Sequence, residues 1–130
     1  MDDKKIKVLV VDDESDFRQL MTFWLESKKY SVIASSNGRD AIGMVKKDKP
    51  DIVFLDLMMP EMDGIQTLKQ IRKVNKDIPV IIISAYVEDA RIVEAKYYNI
   101  SGVFYKGKDF KEGSALLEAV LRTHKRLKSK

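Results

Sequence analysis

The stretch "DIVFLDLMMPEMDG", residues 51–64, joins a short apolar run to an acid and then to a loop that closes on an Asp-Gly turn. Residues 51–55 have the length and composition of a strand, apolar from Ile52 onward, and predict one that is buried on both faces. Asp56 stands where that strand ends. A single acid at this position has ordinary explanations, such as a turn, so its meaning depends on what else the fold brings there.

Four further runs have the length and the β-branched or aromatic content of strands: residues 6–11, 30–35, 78–83 and 102–105. The segments between them have helical periodicity. The clearest apolar stripe, at i, i+3, i+4, i+7 and i+8, consists of Phe17, Leu20, Met21, Trp24 and Leu25, and it predicts that Trp24 is core. Similar stripes are formed by Ala41, Ile42 and Val45, by Ile65, Leu68, Ile71 and Val74, by Ile92, Val93 and Ala95, and by Leu116, Leu117, Val120 and Leu121.

Five alternations of strand and helix predict an α/β fold. Right-handed crossovers between parallel strands place helices on both faces of one doubly wound sheet. Residues 78–83 are rich in isoleucine and suit a central strand, whereas the more polar run 30–35 suits an edge. With 130 residues, the chain is expected to form a single domain over 1–130, with a basic tail from about 123 to 130.

Composition narrows the possible functions. The chain has no cysteine, and its one histidine, His124, lies in the basic tail, which excludes disulfides, thiolate metal sites and catalytic triads. The net charge of +4 comes from lysines scattered in small groups without interleaved aromatics, which favours solvated helix faces over a nucleic-acid groove. Without a membrane-length apolar run or a secretory signal, we expect a cytoplasmic protein with no membrane or nucleic-acid partner.

Polar residues follow the predicted strands at their carboxyl ends: Asp12, Asp13, Asp56, Ser84 and Lys106. Each alone could be a helix cap, a turn residue or a solvated side chain. Together they lie at the edge where open parallel sheets bind ligands. Three carboxylates within about 5 Å repel one another by about 3 kcal/mol per pair at an effective dielectric near 20, so one lysine is an insufficient counter-charge.

A hard divalent cation would supply the missing charge. A carboxylate cluster without histidine or cysteine fits Mg²⁺ better than Zn²⁺. Mg²⁺ beside a lysine and a hydroxyl suits a phosphoryl group, which a carboxylate can accept as an aspartyl phosphate. Asp56 is the predicted nucleophile because it ends a central strand and precedes a loop that can complete the metal site. Asp12 and Asp13 would then hold the metal.

The loop after Asp56 has its own predicted features. Pro60 is expected to fix its path, and Asp63 and Gly64 to turn the chain into the next helix. The methionines either cover the site or pack in the core, and both possibilities remain open.

Four motifs, "VLVVDDE" at 8–14, "DIVFLDLMMPEMDG" at 51–64, "PVIIISA" at 79–85 and "VFYK" at 103–106, together resemble the receiver domain of two-component response regulators. The resemblance covers essentially the whole chain. It implies a flavodoxin-like (βα)5 fold with strand order 2-1-3-4-5. It also implies phosphorylation of Asp56 by a phosphohistidine on a sensor histidine kinase or a histidine phosphotransfer protein.

The resemblance also implies roles for individual residues. Mg²⁺ would be bound by Asp12, Asp13, Asp56 and the backbone carbonyl of Met58. The phosphoryl group would contact Ser84 and Lys106. Such a domain is not a conventional enzyme, because it catalyses only its own phosphotransfer and autodephosphorylation, and it acts as a monomer or a phosphorylation-dependent dimer.

Two positions depart from the usual family pattern. Val103 replaces an aromatic residue three positions before the lysine, and Gly107 replaces a proline that follows the lysine through a cis bond. Because a cis bond without proline costs about 2.5–4 kcal/mol, we expect a trans bond or an altered loop. Both changes fall near the face of the fourth helix, fifth strand and fifth helix, which such domains use for output. Tyr97, Tyr98 and Tyr105 are candidate contacts there, unless some of them are core.

Two alternative functions follow from these departures and from the site. One is a degenerate receiver that acts as a constitutive protein-interaction module. The other is a phosphatase of the haloacid dehalogenase type, which ranks last because that family needs a second acid two residues after the nucleophile, where this chain has Met58.

Overall fold

A computed structural model of the chain describes residues 5–59 and 62–123. Its strands are β1 (Lys7–Val11), β2 (Ser31–Ser35), β3 (Ile52–Asp56), β4 (Val80–Ser84) and β5 (Gly102–Tyr105). Its helices are α1 (Ser15–Ser27), α2 (Gly38–Asp48), α3 (Gly64–Val74), α4 (Ala90–Ala95), continued by a 3₁₀ turn at Lys96–Tyr98, and α5 (Phe110–Thr123). The predictions for Pro60, His124 and the tail beyond residue 123 lie outside the described residues.

The five strands form one parallel sheet in the order β2-β1-β3-β4-β5, so the predicted fold class and strand order are confirmed. The predicted strand boundaries differ from the observed ones by two residues at most. The register pairs Val11 with Leu55, and Asp56 with Ile83. The carboxyl ends of β1, β3 and β4 therefore lie side by side at one edge.

Two apolar layers cover the sheet. Helices α2, α3 and α4 pack on one face, around Leu9, Leu55 and Ile82, and α1 and α5 pack on the other, around Val10, Phe54 and Ile81. Every residue of β3 and β4 is buried, whereas edge strand β2 is partly exposed, as its composition predicted. In the described part of the chain, no helix has the length and hydropathy needed to cross a membrane.

The predicted apolar stripes of the helices included residues that are not buried. Leu20 is 56% exposed and Val93 is 60% exposed, and Val74 also lies at the surface, so these three residues are not core. The apolar neighbours of Leu20 are covered, because Met21 and Leu25 are fully buried. Trp24 is half-buried and stacks on Phe110, with ring centroids 5.0 Å apart and an interplanar angle of 22°.

The loop after β3 is tied down where α3 begins. The Asp63 side chain caps α3 by accepting a hydrogen bond from the Gln66 N–H at 2.9 Å. A Cβ on Gly64 would lie 2.4 Å from the Asp56 carbonyl oxygen, so only glycine allows α3 to start this close to the end of β3. This close approach explains the Asp-Gly turn in the opening stretch.

The loop between β5 and α5 begins with the bond for which the sequence predicted either a trans geometry or an altered loop. No cis peptide bond occurs among the described residues, so the Lys106–Gly107 bond is trans, as the cost of a cis bond predicted. Gly107 has φ 89°, in the left-handed region that glycine adopts without strain. Val103 packs against the α2–α4 layer, whereas its neighbour Phe104 packs against α1 and α5.

Candidate functional site

Residues at the carboxyl ends of four strands form the candidate site. Asp12 follows β1 directly, Asp56 and Ser84 are the last residues of β3 and β4, and Lys106 follows β5. The Lys106 N–H donates to the Ser84 carbonyl at 2.8 Å, which extends the β4–β5 pairing to the site. The parallel ladder thus places side chains that are distant in sequence at one edge of the sheet.

Three carboxylates meet there as the sequence predicted. Asp12, Asp13 and Asp56 each offer an oxygen, and these oxygens all lie within 4.8 Å of one another. Asp12 and Asp56 are buried, whereas Asp13 is exposed. The Met58 N–H donates to Asp56 Oδ1 at 3.1 Å, which ties the start of the loop to this carboxylate.

Lys106 is drawn into this cluster instead of being solvated. Its Nζ lies 2.7 Å from Glu14 Oε1, 3.1 Å from Asp12 Oδ2 and 3.6 Å from Asp56 Oδ2, and it lies over the Phe17 ring at 4.9 Å from the centroid. Burial alone would lower the pKa of Lys106. Hydrogen bonds to Glu14 and Asp12, together with the Asp56 charge, outweigh burial and raise it.

The electrostatic balance leaves Asp56 poorly stabilised as an anion. Burial and the adjacent Asp12 charge raise the pKa of Asp56 from 3.8 to about 7. The Met58 N–H and the Lys106 ammonium act in the opposite direction and do not cancel this rise. An ionised Asp56 near neutral pH therefore calls for more positive charge than Lys106 supplies.

The donor set fits a hard divalent cation. Among the described residues, Oδ2 of Asp12 is the buried side-chain oxygen without a hydrogen bond, although it lies within ionic contact of Lys106. A buried acceptor left in this way costs free energy unless another partner satisfies it. Carboxylate oxygens from Asp12, Asp13 and Asp56 are the ligands that Mg²⁺ prefers, and the cluster contains no sulfur or imidazole.

Two predicted site residues have other observed contacts. The buried Ser84 hydroxyl donates to the Tyr86 carbonyl at 2.9 Å and accepts from the Tyr86 N–H at 3.2 Å, so it holds the loop after β4. Met58 contributes its N–H to Asp56, and its side chain is exposed. The roles of the Ser84 hydroxyl and the Met58 carbonyl toward a ligand stay predictions.

Glu14 was missed by the sequence reasoning. It makes the shortest of the three ionic contacts of Lys106. A signal was present, because Glu14 directly follows Asp12 and Asp13 in "VVDDE", but helix capping explains such a residue equally well.

Known proteins resemble this chain in sequence and fold. Residues 8–119 match the family described as the response regulator receiver domain. The sporulation initiation phosphotransferase F of Bacillus subtilis is 37% identical over 106 residues, which cover 82% of this chain and 86% of that protein. The alkaline phosphatase synthesis transcriptional regulatory protein PhoP of the same organism is 34% identical over 118 residues, covering 89% of this chain and 48% of that protein.

Solved structures agree with the sequence relatives. A two-component response regulator from Clostridium difficile superimposes with a TM-score of 0.87 at 27% identity, covering 93% of this chain and 99% of that one. A chain of the CheX-CheY-BeF3-Mg²⁺ complex from Borrelia burgdorferi gives a TM-score of 0.83 at 28% identity, with 88% of each chain covered. The chain spans about half the length of several of the curated relatives it matches. From the family match over residues 8–119, the sheet order and these relatives, we conclude that the chain belongs to the receiver domain family of two-component response regulators.

Proposed function

We propose that this receiver domain is a switch that accepts a phosphoryl group on Asp56 from a phosphohistidine partner. The observation that carries the proposal is the meeting of three carboxylates and one ammonium at the carboxyl edge of the sheet. An Asp56 oxygen would attack phosphorus, forming the P–O bond as the P–N bond to the donor imidazole breaks. The donor would be a sensor histidine kinase or a histidine phosphotransfer protein.

Asp12, Asp13, Asp56 and the Met58 carbonyl are the proposed ligands for Mg²⁺, which when bound would neutralise charge on Asp56 and on phosphoryl oxygens. The raised pKa of Asp56 supports this requirement, since the nucleophile must be ionised. Lys106 would contact the phosphoryl group directly. The Ser84 hydroxyl would do so after leaving Tyr86, which would move the loop after β4.

The domain would use no catalytic machinery beyond its own site. It would catalyse its own phosphotransfer and autodephosphorylation, so it is not a conventional enzyme. We expect it to act in the cytoplasm, as a monomer or a phosphorylation-dependent dimer.

The proposed output face consists of α4, β5 and α5. Tyr97 is 84% exposed, and Val93 on α4 is exposed beside it. Tyr98 and Tyr105 are partly buried against the α2–α4 layer, so Tyr97 is the stronger contact candidate of the three. An aromatic and aliphatic surface of this kind suits a protein partner.

A constitutive interaction module remains the second candidate. Val103 favours it, because this core-packed aliphatic side chain stands where the family usually has a switching aromatic residue. In that case the acidic cluster would be a remnant, and Tyr97 would bind its partner without phosphorylation.

Intact-mass measurement after incubation with acetyl phosphate and Mg²⁺ would separate the two candidates. We expect a single added phosphate on the wild type and none on Asp56→Asn. Asp16→Asn is the matched control, because it removes one carboxylate at an exposed position of α1. Failure of the wild type to take up phosphate, together with no detectable Mg²⁺ binding, would favour the constitutive module.

A further inference from the structure

Glu14 is the closest partner of the Lys106 ammonium. Its Oε1 lies 2.7 Å from Nζ, compared with 3.6 Å from Nζ to Asp56 Oδ2. The ammonium has only three protons to donate. The shortest hydrogen bond of Lys106 is therefore made to Glu14 and not to the proposed phosphoacceptor, Asp56.

Glu14 is also the partner that can leave at least cost. The Glu14 side chain is 62% exposed, whereas the carboxylates of Asp12 and Asp56 are buried. An exposed carboxylate that leaves an ion pair is rehydrated, so pairs of this kind contribute little net stability. A buried carboxylate has no such alternative.

The backbone of Glu14 is held while its side chain reaches into solvent. The Glu14 N–H donates to Asp12 Oδ1 at 2.8 Å, and Glu14 is the N-cap residue that directly precedes α1. A change of partner for Lys106 would thus need only a side-chain rotation at Glu14. The acidic cluster itself would stay in place.

We propose that Glu14 holds the Lys106 ammonium in the unphosphorylated protein and competes with the phosphoryl group for it, thereby setting the affinity of the site for phosphoryl groups. This inference rests on the proposed function. A phosphoryl group carries about −1.5 to −2 charge and three acceptor oxygens, so it outcompetes one solvated carboxylate. Glu14 acts through Lys106 and is a positioning residue.

Calorimetric titration with beryllofluoride at saturating Mg²⁺ tests the competition. We expect Glu14→Gln to bind beryllofluoride about two- to fivefold more tightly than the wild type, the range set by an exposed ion pair. Asp16→Asn removes the same charge from the same helix turn and should leave the dissociation constant unchanged. An equal gain in affinity in both variants would mean that the effect comes from net charge alone, which would overturn the inference. An unchanged affinity in Glu14→Gln would also overturn it.

The NMR signal of the Lys106 side-chain ammonium gives a second readout that a purely structural role would not move. In the free protein the signal should change in Glu14→Gln but not in Asp16→Asn. With beryllofluoride and Mg²⁺ bound, the wild-type and Glu14→Gln signals should coincide, because Glu14 has been displaced. A difference that persists would contradict the release of Lys106.

The two levels of proposal fail differently. If the wild type does not bind beryllofluoride, the proposed function fails and the inference fails with it. If the wild type and Glu14→Gln bind it equally well, only the role of Glu14 is lost.

Discussion

Arg72 and Lys106 are both cationic side chains drawn partly out of water, but their surroundings differ. Arg72, near the end of α3, donates to four backbone carbonyls, those of Tyr98 at 2.7 Å, Ile78 at 2.8 Å, Asn99 at 3.0 Å and Asn75 at 3.2 Å. It connects α3 to the residues that precede β4 and β5. Lys106 lies beyond the opposite ends of those strands and contacts three carboxylates.

The difference separates a structural contact from a functional one. Carbonyl oxygens are neutral and fixed by the backbone, so they hold the Arg72 guanidinium in one arrangement. Burial lowers the pKa of Arg72, yet a guanidinium stays charged across the working pH range. The carboxylates around Lys106 repel one another. Burial and the Asp12 charge raise the pKa of Asp56, and Asp12 Oδ2 has no hydrogen bond. We therefore expect the contacts of Lys106, and not those of Arg72, to rearrange when a ligand binds.

The largest effect on folding should come from Arg72→Met. Loss of four hydrogen bonds from a charged group, at carbonyls that stay partly buried, should lower the free energy of unfolding by about 3 kcal/mol. Urea denaturation would measure it, with Lys73→Met as the exposed control next to it. Phosphate uptake under native conditions should be unchanged. A loss below about 1 kcal/mol would show that Arg72 is no more structural than Lys106.

Asp56→Asn should have the next largest effect, and it should stabilise the protein. Because the folded pKa of about 7 lies above the ordinary 3.8, the folded state retains a proton that the unfolded state loses. Wild-type stability should therefore fall as pH rises through this window, whereas the variant lacks this fall. At about 1.4 kcal/mol per pKa unit, with an allowance for residual solvation, we expect the variant to be about 2 kcal/mol more stable above pH 7.

Chemical denaturation of both proteins from pH 4 to pH 8 without divalent cations would check this. Their difference should vanish near pH 4, where Asp56 is protonated in the folded wild type. Addition of Mg²⁺ at pH 8 should reduce the difference by favouring the ionised form. Equal pH profiles for the two proteins would mean that Asp56 is not destabilised as an anion.

Lys106→Met should have the smallest effect on stability, because Asp56 can bind a proton when its counter-charge is lost. We expect a loss of about 1 kcal/mol at pH 8 without divalent cations, and recovery in saturating Mg²⁺. Lys108→Met in the same loop is exposed and should cost nothing measurable. If Mg²⁺ restored the stability of Arg72→Met to the same extent, the distinction between the Arg72 and Lys106 side chains would be wrong.

The elements and the site edge were predictable because they depend on local signals. Strand-length apolar runs ending in acids are visible in the sequence, and right-handed crossovers then leave few possible topologies. Asp12, Asp13, Asp56 and Lys106 meet because parallel strands share a carboxyl edge. Their convergence therefore follows from topology without any side-chain detail.

The residues that were predicted wrongly or missed depend on contacts between elements that are distant in sequence. Periodicity places Leu20 on the apolar side of α1, but the packed layer reaches only as far as Met21 and Leu25. The predicted burial of Val93 on α4, a helix of only six residues, is wrong for the same reason. Glu14 was missed because its partner Lys106 lies 92 residues away in sequence. Arg72 was missed because the two carbonyls that connect it to the segment before β5 lie 26 and 27 residues away, beyond any local pattern.

The stacking of Trp24 on Phe110 has a practical consequence. Trp24 is the only tryptophan of the chain, and Phe110 begins the helix that follows the Lys106 loop. The centroid of the Phe110 ring lies 6.3 Å from that of the Phe17 ring, and the Lys106 ammonium lies over the Phe17 ring. A rearrangement of Lys106 that shifted these rings would change the surroundings of the single indole, so the intrinsic fluorescence of the natural chain could follow the site in real time without an attached dye.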